Sequence, residues 1–261
     1  MSTCRLNHPL LPLLRRFRYA HRGLHDLAAG VPENTMPAFR RAVEHGFGAE
    51  LDVHLTRDGR LVVIHDSDLR RLCGADRRAD TLTAAAFAEL PILGTAEHAP
   101  MLEDVLPLFE GRTPLIIEIK TDGGNAAPLT GAVCAMLDRF QVTYCIESFD
   151  PRVLIWLRQH RPEICRGQLS CDFDHDPDCG LSVPVRYALT RLQGNILTRP
   201  DFIAYKYADR NEPALRRCLL SGVQEVSWTL RREADLLAAE REGSIGIFEH
   251  FIPDPKPISK R

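Results

Sequence analysis

AELDVHLTRDGRLVVIHD, residues 49–66, reads as two short strands joined by a tight turn, with acids where an ordinary buried strand has none. Alternate residues of a strand share a face, so Glu50, Asp52 and His54 point one way and Leu51, Val53 and Leu55 the other. Two carboxylates on one face repel each other and lose solvation if buried, and a cation between them offsets both costs. The plainer reading is a polar face that meets water. Asp58-Gly59 is a strong hairpin signal. A two-residue turn there sets His65 opposite Asp52, on the carboxylate face; a three-residue loop shifts the register by one and turns His65 away.

Working outward, AHRG at 20–23 closes an apolar run and PENT at 32–35 follows after a loop. In IIEIK at 116–120, alternation separates Glu118 and Lys120 from Ile117 and Ile119, adding a third hard oxygen ligand and a cation. Short apolar runs that read as buried strands recur at 17–21, 49–56, 61–65, 115–120, 142–147, 166–170, 202–205, 223–228 and 245–248. Helical periods fall at 36–45, 102–108, 129–139, 151–159, 213–220 and 233–241. This alternation predicts an α/β chain folded as a TIM-like (β/α)8 barrel, which commonly takes about 250 residues and assembles its active site at the strand C-termini. Residues 1–18 read as an N-terminal extension, 19–255 as the barrel and 256–261 as a tail. The less regular 67–100 reads as a small insertion after the second strand and its hairpin, with too few apolar residues for a core of its own.

Hydrophobic residues make up 44% and charged residues 26% of the 261, as in an ordinary soluble enzyme. With 33 basic and 35 acidic residues spread along the chain, no global field points to nucleic acid or an anionic membrane, so phosphate recognition must be local. The apolar stretch at 9–14 is too short and proline-broken for a signal or a span, so neither membrane insertion nor export is expected, and a cytoplasmic location is. Eight cysteines without a CxxC pair read as buried thiols in a reducing compartment, with a Cys171–Cys179 disulfide left open. The loop 172–178 carries Asp at every second position but lacks the Gly and terminal Glu of a calcium loop, and reads as solvated.

AHRG, PENT, ELDV with TRDG, VVIHD, MLEDVL, IEIK and SFDP, in that order from about Tyr19 to Pro255, resemble the glycerophosphodiester phosphodiesterase family. The resemblance implies that His21 and His65 form an acid–base pair and that Glu50, Asp52 and Glu118 hold one Mg²⁺ or Ca²⁺. It further implies that Arg22 and Lys120 bind phosphate, with Glu33 and Asn34 completing the site. The implied reaction opens a small-molecule glycerophosphodiester to glycerol phosphate and an alcohol through a cyclic phosphate. Asn34 is equally readable as a helix cap. Departures from the pattern fall at Cys73 in LRRLCG, at Arg231 in WTLR and in IFEHFIPD, and bear on the leaving-group pocket, for which Glu147 and Trp228 are candidates. The other histidines, His54 included, read as solvent-facing or core-bonded.

Three other readings fit the same residues. A phospholipase-D-like hydrolase on the same fold would act on lysophospholipids or sphingolipids. A glycosidase would pair two carboxylates without a metal, although the cations beside the acids argue against it. A phosphodiester-binding module without turnover would be expected to lack a histidine or an acid that is present here.

Overall fold

The structure is a computed structural model and describes residues 3–175 and 180–256. The chain has the TIM-like (β/α)8 fold, with eight strands of the barrel type plus one antiparallel strand hairpinned onto the second among the described residues. The strands are β1 Tyr19–Ala20, β2 Gly48–Leu55, β3 Leu61–Val63, β4 Leu115–Ile119, β5 Tyr144–Ser148, β6 Arg166–Ser170, β7 Phe202–Lys206, β8 Gln224–Leu230 and β9 Ile245–Phe248. Each falls within two residues of an expected run at its start, and the sixth and ninth match their runs end to end.

The chain divides into two compact units. In the unit of residues Phe17–Tyr144 and Ile252 onward, β2 is central, with β1 and β4 parallel to it and β3 antiparallel. Its apolar face is sealed by helix Met36–Glu44, which buries Ala38, Phe39, Ala42 and Val43; Phe39 meets Phe109 edge-on at 6.2 Å. Burying such a phenyl ring stabilises by about 1.5–3 kcal/mol. The expected helix over 102–108 is two pieces, Leu102–Val105 and the 3₁₀ turn Leu106–Leu108, with Pro107 in the first turn of the second. Helix Ala126–Leu137 starts ahead of its expected place because Pro128 sits in its first turn, where a missing N–H costs nothing.

The insertion has more core than its composition suggested. Leu69, Leu72, Ala79, Leu82, Phe87, Ile92 and Ala99 form one buried cluster, completed by Val62 and Ile64 from the β3 arm. It is therefore a satellite of the hairpin.

In the other unit, residues to Arg16 with Cys145–Phe251, strands β5 to β9 pair in parallel wherever their registers are defined. The N-terminal segment is integrated here. Arg5 clasps the fully buried Asp201 and donates through Nη1 to the Pro162 carbonyl at 2.6 Å, while His8 and Leu11 are buried. A short helix at Leu11–Leu14 and helices Val183–Thr190 and Asn195–Thr198 add to the expected set. The cysteines described are free thiols. Cys179 and the second half of the Asp-rich loop, and with them the disulfide alternative, lie outside the described residues, as does the tail beyond Lys256.

Candidate active site

β2 carries Glu50 and Asp52, and β4 carries Glu118 at the position paired with Asp52, so the three carboxylates share one face of adjacent parallel strands. One oxygen from each lies within 4.8 Å of the others, and all three residues are buried. Lys120 Nζ lies 2.8 Å from Glu118 Oε1 and 3.2 Å from Asp52 Oδ1. Asn34 Nδ2 donates to Asp52 Oδ2 at 2.8 Å, and Arg22 Nε is 3.5 Å from that oxygen. Glu50 Oε2 accepts from the Arg22 main-chain N–H at 3.0 Å and lies 3.9 Å from His21 Nε2.

Burial opposes ionisation of Asp52, yet Lys120, His65, Arg22 and Asn34 together hold it well below the usual carboxylate range. Glu118, its close neighbour, is pushed up by burial and by the Asp52 charge. Burial favours a neutral Lys120, but the two acids outweigh that and keep its ammonium charged. Asp52 Oδ1 and Asn34 Oδ1 are buried and accept no hydrogen bond among the described residues. Three buried carboxylates with the unbonded Asn34 amide oxygen beside them form a donor set of the kind Mg²⁺ and Ca²⁺ take.

The loop after β1 fixes the rest. Arg22 and Asn34 both have left-handed backbones, φ +54° each, a strain of order 1–3 kcal/mol per residue that clusters at functional sites. They are locked together by the Asn34 N–H donating to the Arg22 carbonyl at 2.9 Å. Gly23, at φ +78°, is required: a Cβ there would lie 2.8 Å from Ala38 Cβ. Asn34 is no helix cap, because Thr35 holds that place and Asn34 bonds Asp52 instead.

Of the two turns left open by the sequence, the hairpin takes the three-residue one. Val53 pairs with Val63 and Leu55 with Leu61, around a three-residue loop Arg57-Asp58-Gly59 whose last residue is left-handed at φ +78°. The Thr56 hydroxyl, bonded to Asp58 and to the Arg60 N–H, favours this turn. By that register His65 would face away from Asp52. Strand β3 ends at Val63, one further backbone bond runs from the Ile64 N–H to the Asp52 carbonyl at 3.0 Å, and His65 just beyond lies close enough to Asp52 and Glu118 to favour their ionised forms.

Two supports hold His65. His54, fully buried, meets Asp122 Oδ2 at 3.0 Å through Nδ1 and the His65 carbonyl at 3.1 Å through Nε2. Asp66 Oδ1 takes the His65 Nδ1 at 2.6 Å. Burial works against the Asp66 charge, but His65 and Arg71 outweigh it and hold the carboxyl far below its usual range. Glu33 is likewise depressed against burial, by Arg71 and by Arg22, whose Nη1 donates to it at 2.7 Å. His54, Asp66, Arg71 and Asp122 were not among the expected site residues; His54 shares the face of Glu50 and Asp52, and Asp66 follows His65 directly, which were the available signals.

Every expected site residue of the metal, acid–base and phosphate groups thus falls in one unit. Glu147 on β5 and Trp228 on β8 belong to the other, where Glu147 is buried and the half-buried Trp228 meets Phe149 edge-on at 5.7 Å.

Residues 21–253 match the glycerophosphoryl diester phosphodiesterase family. The chain belongs to that family. It is a phosphoric diester hydrolase by this membership. A glycerophosphodiester phosphodiesterase of Caldanaerobacter subterraneus is 31% identical, with 92% of this chain and 94% of that one covered. A human protein named lysophospholipase D is 27% identical across 98% of this chain and 91% of its own. Among solved structures, a phosphodiesterase from Oleispira antarctica in complex with sn-glycerol-3-phosphate superposes with a TM-score of 0.71 at 20% identity, covering 89% of this chain and 92% of that one. A Thermotoga maritima glycerophosphodiester phosphodiesterase gives 0.66 at 25% identity, covering 89% and 94%. No helix among the described residues is long and apolar enough to cross a membrane.

Proposed function

We propose that this family member hydrolyses glycerophosphodiesters to glycerol phosphate and an alcohol, with His21 and His65 as the acid–base pair and Glu50, Asp52 and Glu118 holding one divalent cation, Mg²⁺ or Ca²⁺. The observation that carries this reading is the cluster of three buried carboxylates within 4.8 Å, with His21 beside Glu50 and Lys120 between two of the acids.

A bound ion supplies Lewis-acid stabilisation of charge on the phosphoryl oxygens. Arg22 and Lys120 bind the anionic phosphate and gain strength as charge builds in the transition state. Asp66 fixes the proton of His65 on Nδ1, which leaves Nε2 to exchange a proton with substrate. One imidazole takes the proton of the substrate's glycerol hydroxyl as that oxygen attacks phosphorus. The other protonates the departing alkoxide as its P–O bond breaks, giving a cyclic phosphate and the free alcohol. Water then attacks phosphorus with the two roles exchanged, the ring opens to glycerol phosphate, and both imidazoles return to their starting states. The sn-glycerol-3-phosphate bound by the Oleispira phosphodiesterase is the kind of product this reading expects.

The test is release of glycerol phosphate from glycerophosphocholine and glycerophosphoethanolamine with Mg²⁺, with Ca²⁺ and with chelator. Metal-dependent release that His21→Ala and His65→Ala each reduce by about 10²–10⁴-fold is expected. Wild-type turnover by either variant refutes its role. The human relative's name favours a second reading, release of a lysophosphatidic acid from a lysophospholipid, and that substrate belongs in the same assay. Glu147→Ala and Trp228→Ala, compared across different alcohols, test whether either residue contacts the leaving group.

A further inference from the structure

LRRLCG at 69–74 has no role in the chemistry above, yet one of its side chains touches two parts of it. Arg71 sits in the short helix Arg70–Cys73 and is half exposed, but its guanidinium is spent on two acids. Nε and Nη2 donate to Asp66 Oδ2 and Oδ1 at 2.7 and 2.9 Å. Nη1 and Nη2 donate to Glu33 Oε2 and Oε1 at 3.0 and 2.9 Å. The same Asp66 Oδ1 also takes the His65 Nδ1, and the same Glu33 Oε1 also accepts from the Arg22 Nη1. His65, Asp66, Arg71, Glu33 and Arg22 therefore form one unbroken chain of charge-assisted hydrogen bonds.

We propose that Arg71 is a positioning residue that couples the orientation of the His65 imidazole to that of the Arg22 guanidinium. Its role rests on the function assigned above to those two residues, although the coupling itself is a property of the structure. A lone surface ion pair would contribute little. Here both carboxylates are mostly shielded, at 18% and 12% exposed, each is gripped by two parallel N–H groups, and no direct hydrogen bond joins Asp66 to Glu33 among the described residues. The planar fork of arginine can serve both acids at once; a lysine ammonium in its place can replace the charge but not both grips. Without the guanidinium, Arg22 is the one cation left on Glu33 among the described residues and is drawn away from phosphate, while Asp66 is free to rotate off His65.

The experiment is a double-mutant cycle of Asp66→Asn and Glu33→Gln, run with Arg71 and again in Arg71→Ala. It is read by kcat, by KM, by sn-glycerol 3-phosphate affinity and by the NMR resonance of the His65 Nδ1 proton. With Arg71 present, the two acids should couple non-additively, and Glu33→Gln should shift the His65 resonance at a distance. In Arg71→Ala both effects should vanish, kcat should fall on the order of ten- to a hundredfold, and added guanidinium should restore part of it. Arg71→Lys should recover little. Additive acids with Arg71 present, or a His65 resonance indifferent to Glu33→Gln, would overturn the proposal. The resonance needs no turnover, so an inactive wild type that still shows the shift would sink the assigned reaction and leave the coupling standing. Should Arg71→Ala fail to fold, the Glu33→Gln shift in the native background and in Arg71→Lys still decides.

Discussion

The buried His54 imidazole holds the main-chain carbonyl of His65 at 3.1 Å, so the catalytic candidate is fixed through its backbone as well as through its ring. Replacing His54 by Phe keeps the bulk of the ring and removes the donor. The expected result is a fall in kcat on the order of tenfold with substrate affinity little changed, while His54→Gln, which restores a donor, recovers much of it. Equal kinetics for Phe and wild type would rule this support out.

Acid stability should report on the partner of His54. Asp122 accepts from Ser67 Oγ at 2.9 Å and from Arg78 Nη2 at 2.8 Å. Burial pushes its carboxyl up, but bonds with His54 and Ser67 outweigh that and hold it at about 2, against an ordinary 3.8. The folded-state value is the lower one, so the stabilisation is complete above 3.8 and is lost as pH falls through about 2. Asp122→Asn should therefore unfold at a lower Tm than wild type near neutrality, with the gap closing towards pH about 2. A gap that stays constant over that range would contradict the account.

Metal binding is best checked at Glu118, since it faces Asp52 across the β2–β4 pair. Glu118→Ala should weaken Mg²⁺ or Ca²⁺ affinity, measured by calorimetry, on the order of tenfold or more. Excess chelator should lower the wild-type Tm and leave that of the variant nearly unmoved, because an ion that binds only the folded chain stabilises only where it binds.

The N-terminal clasp predicts a stability effect away from the chemistry. Asp201 is fully buried and accepts from Arg5 Nη2 at 2.7 Å and from the Arg166 N–H at 3.0 Å. Arg5→Ala removes the countercharge and should cost about 2–4 kcal/mol in denaturant unfolding, with kcat unchanged. A loss below about 0.5 kcal/mol would mean the clasp behaves as an ordinary surface pair.

Glu50, Asp52 and Glu118 were legible in the sequence because period-two alternation is a local property of a strand. The turn was not, since Asp-Gly suits both a two-residue hairpin and a three-residue loop, and the Thr56 hydroxyl decides between them. His65 reached the site by a route that no register rule contains, its carbonyl held by a ring 11 positions back along the chain. Helix Val183–Thr190 has no helical signature in the sequence, because Val183, Val185 and Tyr187 recur at period two, and the structure leaves all three exposed. The bond from Arg71 to Glu33 spans 38 positions, and nothing local to either residue announces it.

Two backbone hydrogen bonds beside Gly23 set where this family member can vary. Leu24 N–H donates to the Ala38 carbonyl at 2.9 Å, and Asn34 N–H donates to the Arg22 carbonyl at 2.9 Å, so the excursion from His25 to Glu33 leaves and returns at two pinned points. Between them Asp26 bridges to Val31, and Leu27 stands 50% exposed. Residues can be inserted or lost around Leu27 while Arg22 and Asn34 keep their places, so divergence in loop length there can proceed independently of the reaction.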